Sequence, residues 1–189
     1  MPFTTALNTP YTTEVVSRDF IPAINEATPQ ILWVGCSDSI ISETEVLDVQ
    51  REQLFVHRNL GNILSNGDLS SESAVEWAVG LLQVKHIIVC GHYDCALIKS
   101  SEKDSDDALH GWYKDMTRLH TRFLNSHTHT ESEEAERRKF EEVYVLAEVE
   151  WLRRQPVVKK AMEERGLLLH GFVFDRKKAQ AVRLVVGGK

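Results

Sequence analysis

Short apolar runs and stretches of helical spacing alternate along this chain. Gln30-Ile31-Leu32-Trp33-Val34-Gly35 reads as a strand buried on both faces, and it ends at Cys36 and Asp38. Gln53-Leu54-Phe55-Val56-His57 predicts a second strand, and His86-Ile87-Ile88-Val89-Cys90 a third. Between them, Ala74, Val75, Trp77, Ala78, Leu81 and Leu82 recur at helical spacing, with Ser71 or Ser73 as the expected cap. Cys95 begins a short helix. From Ser101 to Lys139 the chain is polar and reads as solvent-facing helices and loops. Phe140 to Arg154 is a helix with Val143, Tyr144, Ala147, Trp151 and Leu152 as its apolar stripe, and Pro156 breaks it. Leu167 to Phe174 is a fourth strand and Ala181 to Val186 an edge-like fifth. Before all of these, Val15, Val16, Phe20 and Ile24 have patchy helical spacing around Pro22, so residues 1 to about 28 are expected to form a helical arm.

Strands alternating with helices predict an α/β fold with a mostly parallel sheet flanked by helices. The expected order is 2-1-3-4 plus an edge strand. No linker or repeat interrupts it, so residues 1–189 are expected to form one domain.

The formal net charge of −6 argues against nucleic acid and anionic membrane surfaces as partners. No run is long enough to span a bilayer, and Met1 to Pro10 lacks the features of a secretory signal. A cytoplasmic location is expected. Three cysteines do not suggest a disulfide scaffold; they read as packing residues, nucleophiles or metal ligands.

In open α/β sheets, ligands bind past the carboxyl ends of strands where the strand order reverses. With the order 2-1-3-4, Cys36 and His92 emerge side by side there, and Cys95 lies within reach. Two thiolates and an imidazole form a zinc ligand set with one tetrahedral position left. Asp38 either fills that position or holds a water in it. Cys90 reads as a buried packing residue. His127 and His129 offer a weaker metal pair in a polar stretch, and the charges from Glu131 to Glu142 read as an exposed helix face.

The chain resembles the β-class carbonic anhydrases, zinc enzymes that hydrate carbon dioxide to bicarbonate. The resemblance rests on Cys36-x-Asp38, Phe55-Val56-His57-Arg58-Asn59-x-Gly61-Asn62, Glu76, Gly91-His92-x-x-Cys95 and Leu169-His170-Gly171-Phe172-Val173-Phe174-Asp175. It implies that Cys36, His92 and Cys95 bind one zinc ion. It also implies that Asp38 either accepts a hydrogen bond at the fourth position or ligates zinc, that Phe55 lines the substrate cleft, and that the chain forms a homodimer, in some members a tetramer.

The family motif is Cys-x-Asp-x-Arg, and here Ile40 stands in the arginine's place. A guanidinium would hold the carboxylate in a rigid fork of donors. Ile40 has no donor, which leaves Asp38 freer to turn to the metal. Ala27, Trp77 and Ala96 also depart from the family pattern; Trp77 is expected to add bulk at the substrate cleft. The expected activity is therefore a weak carbonate dehydratase, a lyase. The alternatives are a non-catalytic bicarbonate-binding regulatory protein or a hydrolase of carbonyl sulfide or carbon disulfide.

Overall fold

The computed structural model describes residues 4–22, 28–100, 108–126 and 132–187. A six-stranded mixed sheet organises it. In chain order the elements are α1 (Thr4–Leu7), β1 (Tyr11–Val15), β2 (Ile31–Cys36), α2 (Glu43–Leu47), β3 (Leu54–Asn59) and α3 (Leu69–Glu76). There follow β4 (His86–His92), α4 (Ala96–Ser100), α5 (Ala108–Ser126), α6 (Glu133–Arg154), α7 (Pro156–Arg165), β5 (Leu168–Asp175) and β6 (Gln180–Val186).

The strand order is β1-β6-β5-β4-β2-β3. The central strands β3, β2, β4 and β5 are parallel, and their order is the one expected for the first four strands. The last strand, β6, is not the edge. It pairs antiparallel with β5 on one side and with β1 on the other. The helical arm expected over residues 1 to about 28 is therefore corrected: its described residues hold one short helix and an edge strand. Tyr-Thr-Thr-Glu-Val is mostly exposed, so β1 has no apolar alternation to betray it and is held by backbone pairing with β6.

Side chains alternate across the sheet and build two cores. Leu32, Val34, Ile87 and Val89 face one side, under α3, α5, α6 and α7. Ile31, Trp33, Ile88, Cys90 and Phe172 face the other, which is covered by the chain around Val16–Ile21 and by α2. Cys90 is the packing residue expected, and burial pushes its thiol pKa far up.

Three helix expectations change. Asp68 rather than Ser71 or Ser73 caps α3; its carboxylate accepts from the Ser71 N–H at 2.9 Å. Trp77–Leu81 continues that helix as a wider π-helical turn. The polar stretch after Ser101 includes the 19-residue helix α5, whose Tyr113, Met116, Leu119 and Phe123 are buried. Residues Ala27, His127 and His129 lie outside the described residues.

α6 starts at Glu133, capped by Ser132, and lies across the sheet. Its close approach explains a glycine: a Cβ at Gly91 would sit 2.6 Å from Val145 Cγ2.

Candidate metal centre

β2 and β4 are neighbours, and Gly35 pairs with Cys90, so Cys36 and His92 leave the sheet side by side at the carboxyl ends. A turn through Tyr93 and the left-handed Asp94 (φ 63°) brings Cys95 back over them. The donor atoms of Cys36, His92 and Cys95 all lie within 4.8 Å of one another, and all three residues are buried. The two sulfurs are 4.0 Å apart. Tetrahedral zinc with sulfur bonds near ~2.3 Å holds two sulfurs roughly 3.8 Å apart, so the spacing fits such an ion.

The remaining hydrogen bonds orient this trio. His92 Nδ1 faces the Tyr93 carbonyl at 3.2 Å, which assigns its proton to Nδ1. Nε2 is then a lone-pair donor, and it is buried with no hydrogen-bond partner among the described residues. Cys36 Sγ accepts from the Gly61 N–H at 3.2 Å and the Asp38 N–H at 3.4 Å. Gly61 is required twice over: its φ is 79°, and a Cβ would meet Leu97 Cδ2 at 2.6 Å. The hydrogen bond with Cys95 pulls the Cys36 pKa down, and the same hydrogen bond together with burial pushes Cys95 up. Burial opposes a charge on His92, but the Cys36 sulfur and Asp38 outweigh it and raise its pKa.

Arg58 shapes the loop after β2. Its guanidinium donates to the carbonyls of Cys36 (2.8 Å), Ser39 (3.2 Å) and Ile41 (2.9 Å) and pairs with Glu43. Asp38 sits at the rim of the trio, with its side chain 43% exposed and Oδ2 4.0 Å from His92 Nε2. The same oxygen accepts from the Ala96 N–H at 3.0 Å. A backbone donor thus reaches the carboxylate, and Ile40, 66% exposed, offers it none.

Neither Phe55 nor Trp77 is among the described residues lining the cavity beside the trio. Phe55 pairs with Leu32 while Cys36 pairs with Asn59, so Phe55 is four positions back along the strand, roughly 13 Å at ~3.3 Å per residue. Trp77 is 52% exposed at the end of α3.

Two buried glutamates escaped the sequence reading. Glu141 lies in the stretch expected to be exposed; it is 2% exposed, and its Oε1 accepts from the Cys95 N–H at 3.1 Å. Burial pushes its pKa up to about 7. Glu148 is fully buried and accepts from Leu64 N, Ser65 N and Ser65 Oγ at 2.8 to 3.1 Å, clamping the loop that carries Gly61. Three donors on one carboxylate are a strong local anchor. Only the one-turn proximity of both acids to the Val143–Ala147 stripe hinted at burial.

A model of the carbonic anhydrase family matches residues 31–181. The chain belongs to that family. Carbonic anhydrases of Emericella nidulans and Pseudomonas aeruginosa are each 35% identical to it, over 79% and 84% of this chain and 67% and 74% of their own lengths. A Candida albicans relative is 31% identical, and the chain spans 53% of its length. The structure of a β-carbonic anhydrase from Aspergillus fumigatus superposes with a TM-score of 0.78 at 32% identity, covering 85% of this chain and 77% of that one. Tetrameric β-carbonic anhydrases of Sordaria macrospora give 0.72 at 34%, covering 82% and 80%. The class is therefore β. In this β-carbonic anhydrase the sheet order, the switch-point position of the trio and the family match agree. Among the described residues no helix is long and apolar enough to cross a membrane.

Proposed function

We propose that this chain is a zinc-dependent carbonate dehydratase that interconverts carbon dioxide and bicarbonate, with a rate held low by Ile40. The observation that carries this reading is the convergence of three buried donors, Cys36, His92 and Cys95, inside the β-carbonic anhydrase frame. When bound there, zinc would supply Lewis acidity that makes water acidic near neutral pH.

The chain's own groups do the rest. The Gly61 and Asp38 N–H groups hold Cys36 as thiolate, and the Tyr93 carbonyl keeps His92 Nε2 aimed inward. Two thiolates offset the charge of a divalent ion, so water acidified there is less acidic than at a site of neutral ligands. Asp38 is the acceptor nearest the open side. Among the described residues the Ala96 N–H is its hydrogen-bond donor, and with no guanidinium at position 40 its carboxylate would be available as a further ligand to bound zinc.

The chain is proposed to act as a homodimer or a tetramer. Leu69, Trp77 and Leu81 present exposed apolar surface along α3 and its continuation, and Phe55 lies too far from its own trio to form a cleft wall there. It is proposed to work in the cytoplasm, where thiols stay reduced.

Stopped-flow hydration of carbon dioxide by the zinc-loaded protein tests the reading. A measurable rate well below that of its relatives is expected, and Ile40→Arg should raise it severalfold. No hydration between pH 6 and 9 would overturn it in favour of a non-catalytic bicarbonate-binding protein. Hydrogen sulfide release from carbonyl sulfide with no hydration would overturn it in favour of a hydrolase.

A further inference from the structure

On the Asp38 side of the trio lies a cavity of about 410 Å³, with Asp38, Ile40, His92, Lys99, Arg176 and Lys177 in its wall. The three cations there are not equivalent. Lys99 is spent on Asp94 at 3.1 Å, and Lys177 on Glu134 at 2.8 Å with Asp94 at 4.0 Å. Arg176 makes no ion pair or hydrogen bond among the described residues. It follows β5 directly, and Phe174, two residues earlier, pairs with His92 across the sheet, so the strand end sets Arg176 beside the trio.

We propose that Arg176 is a substrate-binding residue that holds bicarbonate in this cavity. The inference rests on the proposed activity and names how its charged partner is recognised. Carbon dioxide is neutral and needs no cation. Bicarbonate is a planar monoanion whose two adjacent oxygens match the fork of a guanidinium. The lysines are already neutralised, so among the described residues of the wall Arg176 supplies an uncommitted guanidinium. The nearby Asp38 charge keeps this affinity modest, which lets the product leave.

Calorimetric titration with sodium bicarbonate near pH 8 tests this on metal-free and zinc-loaded protein, with hydration measured in parallel. Arg176→Ala should weaken bicarbonate binding about tenfold in both forms, the size expected for one charged hydrogen-bonding partner. Arg176→Lys should recover part of the loss. Lys178→Ala, a neighbouring exposed cation outside the cavity wall, should change nothing. Undetectable bicarbonate binding by the parent protein, unchanged binding by Arg176→Ala, or an equal loss in Lys178→Ala would overturn the inference. Hydration activity with Arg176-independent binding overturns this inference alone. Arg176-dependent binding without hydration overturns only the proposed activity.

Discussion

β4 carries a histidine near each end, and the two ends behave oppositely. At the carboxyl end, His92 Nε2 is buried without a partner among the described residues and converges with two sulfurs on a common point. At the amino end, His86 Nδ1 lies 3.1 Å from His170 Nε2, with the rings inclined by only 26° and their centroids 5.4 Å apart. That centroid distance is close to the nitrogen separation plus two ring radii, so the two nitrogens face each other head-on. They form an N–H···N hydrogen bond between neutral rings. An ion needs lone pairs that converge on a third point. Two imidazoles are thus no metal site when each satisfies the other, whereas one imidazole left unsatisfied beside two sulfurs is.

The most severe way to break this comparison is to remove a donor. Cys36→Ala should lower zinc affinity at least about a thousandfold, roughly 4 kcal/mol, in competition with a chromophoric chelator. His170→Ala should leave that affinity unchanged, and an equal loss there would erase the distinction between the two ends. Next is the clamp on the loop beside the trio. Glu148→Ala strands three donors at Leu64 and Ser65 and should lose about 3 kcal/mol in urea unfolding. Glu150, a quarter exposed and paired with Arg154 at 2.9 Å at the surface, should lose less than about 0.5 kcal/mol as alanine.

The smallest effect sharpens the other end. Burial, with His86 and Arg183, pushes the His170 pKa from 6.5 down to about 3, and burial with Lys85 lowers His86. A base with a depressed folded pKa binds its proton in the unfolded chain first. Its stabilising contribution is complete above pH 6.5 and is lost as pH falls toward 3. Phe20 packs edge-on against His170 at 5.0 Å, so residues near Phe20 should loosen with it. Relative to His170→Phe, the parent protein should lose on the order of 1 kcal/mol by about pH 5 in pH-dependent urea melts; buried Glu141 and Glu148, both pushed up to about 7, act in the opposite sense and cancel in that comparison.

Legibility in the sequence followed the sheet's centre. β2 and β4 are buried on both faces, so their apolar runs stand out, and the Cys36, His92 and Cys95 positions follow from where those runs stop. β1 is mostly exposed and left no such trace. The buried side of α5 was present as Tyr113, Met116, Leu119 and Phe123 at helical spacing, but the polar residues around them obscured it. Glu141 read as surface charge, and Glu148 drew no reading, because a residue's type does not say which backbone donors will meet it.

The sequence by itself determined the fold class and placed Cys36, His92 and Cys95 just past the ends of buried strands, because these depend on local burial and on spacing along the chain; the order of the four parallel strands was a condition that the sheet itself met. Tertiary structure decided the rest. It set β1 outside β6, gave Asp38 a backbone donor in Ala96, buried Glu141 against Cys95 and made His86 and His170 satisfy each other. Those outcomes depend on which groups far apart in the chain arrive with a hydrogen bond to give, and no local pattern encodes that pairing.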